Sequence, residues 1–71
     1  MAKNSNVVDL KLVLFHETPK AWLVGLLEDK DEAVWVPKSA GEIYDKVGTA
    51  AGYPIHEFTL NEWIAIEKEL V

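Results

Sequence analysis

Residues 20–39 read KAWLVGLLEDKDEAVWVPKS: two apolar segments, each with a tryptophan, joined by a charged run and closed by Pro37-Lys38-Ser39. Alternating apolar residues on either side of a turn signal predict a β-hairpin. Lys20 to Leu27 forms one strand, with Lys20, Trp22, Val24 and Leu26 on one face and Ala21, Leu23, Gly25 and Leu27 on the other. Gly25 marks a bulge or a close approach by another segment. Ala33 to Val36 forms the return strand, in which Trp35 faces opposite to Val34 and Val36, and Pro37 ends it. A turn closing around Lys30 brings Trp22 and Trp35 together on one face. The plain reading of the pair is a shared aromatic core, because tryptophan offers the largest apolar area to bury. The functional alternative is an exposed platform on which bases stack, with Lys20 and Lys38 beside it.

Between the strands, Glu28, Asp29, Asp31 and Glu32 place four carboxylates within five residues. The run lacks the spacing, central glycine and terminal glutamate of an EF-hand loop. It reads as a solvated hairpin turn and, functionally, as a contact patch for a basic partner.

Working outward, Val8, Leu10, Leu12 and Leu14 recur at period two, so Val7 to His16 is expected to be a strand. Apolar character on its second face at Val13 and Phe15 suits a central position in the sheet. Met1 to Asn6 is expected to fray, and Glu17-Thr18-Pro19 to turn the chain. Beyond the hairpin, Ser39-Ala40-Gly41-Glu42 fits a capping box, whereas the alternation Ile43, Asp45, Val47 suits a strand; both assignments stay open for residues 40–47. Gly48 to Gly52 is a small-residue loop without the order of a phosphate-binding loop. A short strand follows at Ile55 to Phe58.

Thr59-Leu60-Asn61-Glu62 matches a second capping box, with Phe58 and Trp63 placed for a hydrophobic staple. A helix is expected from Leu60 to about Leu70, its apolar stripe being Leu60, Trp63, Ile64, Ile66 and Leu70. If Trp63 is buried, Trp63→Ala should cost about 3–5 kcal/mol. The fold class is α+β: one domain over residues 1–71, with a small antiparallel sheet of three to four strands and a C-terminal helix packed on it.

Composition narrows function. The 71 residues include no cysteine, so neither disulfides nor cysteine-based zinc sites are expected. A net charge of −5, with seven lysines and no arginine, opposes a nucleic-acid grip and favours basic partners. No transmembrane stretch or secretory signal pattern is read, which predicts a cytoplasmic protein without membrane contact. His16 and His56 each precede a glutamate, yet no nucleophile motif accompanies them. They read as surface or edge-strand histidines, and a two-histidine metal site would require neighbouring strands. Catalytic residues, cofactors and metals are therefore not expected.

The motifs Lys20-Ala21-Trp22-Leu23-Val24, Trp35-Val36-Pro37-Lys38-Ser39 and Glu62-Trp63-Ile64-Ala65-Ile66-Glu67-Lys68 resemble those of small proteins carried by bacteriophages and other bacterial mobile elements. The resemblance covers about residues 17–71; the run after Ser39 and the loop from Gly48 to Tyr53 depart from the pattern. It implies a genomic setting and no catalytic residue. Two functions follow as expectations. One is a non-enzymatic, anti-CRISPR-like inhibitor or modulator that docks on a basic host protein or complex handling nucleic acid, through Glu28, Asp29, Asp31 and Glu32. The other is a nucleic-acid-binding sheet using Lys20, Trp22, Trp35 and Lys38.

Overall fold

The period-two pattern of the first apolar run yields one long strand, β1 (Val7–Glu17), in a computed structural model that describes residues 6–26 and 29–71. After it come β2 (Ala21–Gly25), β3 (Val34–Pro37), β4 (Gly41–Ala50), β5 (Tyr53–Asn61) and the helix α1 (Glu62–Glu67). The strands form one antiparallel sheet in the order β3-β2-β1-β5-β4, so β1 is central, as its doubly apolar end requires. Five strands replace the expected three to four. The fold is sheet-dominated, with 61% of the described residues in strand, and the α+β label fits it loosely.

Thr18 closes the β1–β2 turn: its Oγ1 accepts from the Ala21 amide at 3.0 Å, and its own amide donates to the Ala21 carbonyl at 2.8 Å. Of the two readings of Gly25, a bulge or a close approach, the bulge falls instead on the partner strand. The register between β1 and β2 shifts between Leu14 and His16, while Gly25 pairs regularly with Val13.

One sheet face carries the core. Leu12, Trp22, Val24, Val36, Phe58 and Leu60 are buried there, covered by Ile64, Ala65 and Leu70 from the C-terminal segment. Trp22 meets Phe58 edge-to-face with centroids 5.2 Å apart. Val13 and Phe15 are also buried but stand outside that cluster; Phe15 packs against Tyr53 at 4.9 Å.

Of residues 40–47, open between helix and strand, Ala40 ends a 3-10 turn and the rest lie in an edge strand. Lys38–Ala40 makes a single 3-10 turn with no side-chain cap, and Gly41 starts β4. A Cβ on Gly41 would stand 2.1 Å from the Thr59 carbonyl oxygen, so glycine is required there by close approach. Two register shifts interrupt β4, between Ile43 and Lys46 and between Lys46 and Gly48. The expected small-residue loop is smaller than residues 48–52. Ala50 already pairs with Tyr53, leaving Ala51 and Gly52, both at positive φ (53° and 84°), as a two-residue hairpin turn.

The Thr59 capping box does not form. β1 pairs with β5 as far as Val7↔Asn61, which keeps Thr59 and Leu60 in the sheet. The Thr59 hydroxyl donates to the Asp9 carboxylate at 2.8 Å instead, and α1 begins at Glu62 with Asn61 as an N-cap that makes no side-chain bond. The Glu62 amide donates to the Asn6 carbonyl at 2.8 Å, which ties down Asn6 where fraying was expected; Met1–Ser5 lie outside the described residues.

The helix also ends early. Glu69 takes a left-handed φ of 60°, the Leu70 amide donates to Ala65 O at 2.8 Å and the Glu69 amide to Ile66 O at 3.0 Å, the two bonds of a Schellman stop. Trp63 makes no buried staple and is 63% exposed. With Leu60 in the sheet, Ile64 and Ala65 are the helical residues that dock.

Candidate interaction surface

The β2–β3 hairpin is held at its base by the core, where Trp22, Val24 and Val36 are buried. Trp22 pairs with Val36 and Val24 with Val34 across the ladder. The tip is a 3-10 turn, Lys30–Glu32, and Asp29 caps it by accepting the Asp31 amide on Oδ1 at 3.0 Å. Asp29, Asp31 and Glu32 are all exposed, so the solvated character expected of the acidic turn holds for these three; Glu28 lies outside the described residues.

Beside this tip a cleft of about 510 Å³ opens between the hairpin and the segment after α1. Gly25, Ala33, Val34 and Leu70 give it apolar, buried or half-buried walls, and the exposed Asp31, Glu32 and Glu69 bring three carboxylates against one ammonium, Lys68. An apolar wall beside carboxylates suits a lysine or arginine side chain, whose aliphatic stem and charged head need those two environments.

The tryptophan pair does not assemble as expected. Within the hairpin, even-numbered residues pair with even-numbered ones, and adjacent residues point to opposite faces. Trp22 is therefore in the core, 3% exposed, while Trp35 is on the other face, 45% exposed, with the exposed His16 edge-on to it at 6.1 Å. The two rings expected to share a face are thus on opposite faces of the sheet. Lys38 is bound to the Glu17 carboxylate and sits 6.0 Å from the Trp22 ring centroid, and Lys20 is exposed near the opposite end of the hairpin from the tip. Trp22, Trp35, Lys20 and Lys38 thus do not gather on one exposed face.

His16 and His56 occupy neighbouring strands but opposite faces. His56 pairs with Leu12 on the core side, and its Nδ1 lies 2.8 Å from the Tyr44 carbonyl oxygen. Among the described residues, no group of three or more histidines, cysteines or carboxylates gathers as a metal site would require. On the open face, the exposed Tyr44 phenol donates to Glu42 at 2.5 Å, and that bond first, then desolvation and the Glu42 charge, raise its pKa above the ordinary 10.0. No helix among the described residues is long and apolar enough to cross a membrane.

Neither a family model, nor a curated protein, nor a solved structure matches this chain. Two surface features escaped the sequence reading. Glu69 joins the cleft through the early helix stop, which no glycine announced, and Trp63 faces outward because the helix docks through Ile64 and Ala65, on the other side.

Proposed function

We propose that the protein is a non-enzymatic, acidic interaction protein of the phage type, anti-CRISPR-like in action, which docks on a basic surface of a host complex handling nucleic acid. The observation that supports this reading best is the cleft at the hairpin tip, where Asp31, Glu32 and Glu69 adjoin apolar walls. With the whole chain at −5, the tip is attracted to surfaces that otherwise bind phosphate, and it competes with the nucleic acid for them.

The test is capture from a host lysate by the immobilised chain, alongside the triple variant D29K/D31K/E32K, with and without competing duplex DNA. The reading predicts that a nucleic-acid-binding complex is retained at low salt, released by the duplex and lost on charge reversal. Retention indifferent to both the reversal and the duplex contradicts it.

A further inference from the structure

Trp63 and Ile66 are 63% and 57% exposed on the outer side of α1, whose inner side is Ile64 and Ala65. Positions three apart lie together on a helix surface, and Glu62 and Glu67, both exposed, fall on the same outward arc. We propose that this outer face of α1 is the apolar anchor of a docking site for a protein surface that presents an apolar recess rimmed by lysine or arginine. The proposal rests on the reading of the chain as a protein that docks on basic surfaces, and supplies the desolvated contact that carboxylates alone do not provide. Exposed ion pairs steer encounter and contribute little to affinity, whereas a tryptophan seated in a recess and shielded from water is the commonest kind of binding hot spot.

Charge selects the occupant. Among the described residues, Glu62 and Glu67 flank the patch on the helix surface, and Glu69 and Lys68 follow in the next residues. A second copy docking through the same patch about a two-fold axis would set these carboxylates against their own equivalents, and an anionic lipid surface would repel them as well. A basic rim neutralises them. The patch is also close to the cleft: at 1.5 Å of rise per residue, Trp63 stands about 8 Å along the axis from Lys68, where the cleft begins. One partner can engage both.

The probe is an amphipathic leucine–lysine helical peptide titrated into the full chain, followed by tryptophan emission and by the indole N–H resonances. The Trp63 resonance should shift, emission should move to the blue, and W63A or I66A should each weaken binding about tenfold or more while leaving the thermal melt in place. E62K/E67K should weaken it too, and a leucine–glutamate peptide of the same length should not bind. Equal binding of the two peptides, or leucine–lysine binding untouched by W63A, overturns the proposal. So does a dimer in sedimentation, or binding to phosphatidylcholine vesicles, that W63A abolishes. Loss on D29K/D31K/E32K but not on W63A removes the anchor and leaves acidic docking standing; loss on W63A alone keeps the anchor and removes the tip.

Discussion

Trp22 and Trp63 are the same side chain in opposite energetic situations. Trp22 is 3% exposed and packs edge-to-face on Phe58. Trp22→Ala should therefore cost about 3–5 kcal/mol in chemical denaturation, a large share of the stability of any small domain. Trp63→Ala, for which burial would demand a similar cost, should instead change stability by no more than about 0.5 kcal/mol, since 63% of the residue stays in water. A large loss on Trp63→Ala would place that ring in the core and remove the anchor. Composition shows three tryptophans but cannot distribute them, because one residue of strand parity, or the side on which a helix docks, exchanges inside and outside. Ala51 is a second residue-scale case: at φ 53° its Cβ is in the disfavoured left-handed region. Ala51→Asn, which suits a type I′ turn, should raise stability by about 0.5–1 kcal/mol in the same assay.

At the scale of elements, β1 and the β2–β3 hairpin were legible because Val8, Leu10, Leu12 and Leu14, and Trp22 and Val24, recur at period two and turn chemistry brackets them. Two elements were not. β4 hides its strand character behind two register shifts, so that Ile43 pairs with Phe58 while Val47 lies within an irregularity and stays exposed. The stretch from Thr59 to Glu62 satisfies a local capping pattern, yet the ladder to β1 offers Leu60 a place in the core and Thr59 a partner in Asp9; non-local pairing outweighs the cap. Gly41→Ala tests the close β4–β5 approach. The added Cβ meets backbone as well as the Leu60 side chain, so the denaturation midpoint should fall by the equivalent of about 1–3 kcal/mol or more. An unchanged midpoint would mean that β4 does not approach Thr59 as described. Glu69→Gly probes the Schellman stop. Relief of the left-handed Glu69 should add roughly 1 kcal/mol.

Over the whole molecule, an acidic field surrounds a sheet whose core face is closed by only a short helix. The acidic tip was legible in the sequence as a charge run; the cleft was not, because it needs Lys68, Glu69 and Leu70 to return beside Ala33 and Val34. The proposed contacts lie along one side, from the hairpin tip to the outer face of α1. Association with a basic partner should accordingly slow as salt rises, by a loss of on-rate more than a gain of off-rate, in surface-plasmon measurements across ionic strengths. The most direct test is amide hydrogen exchange of the chain alone and with the host complex it captures. Added protection at residues 29–34 and 62–70 is the predicted result, and protection confined to the Trp35 face or the β4 edge would contradict it.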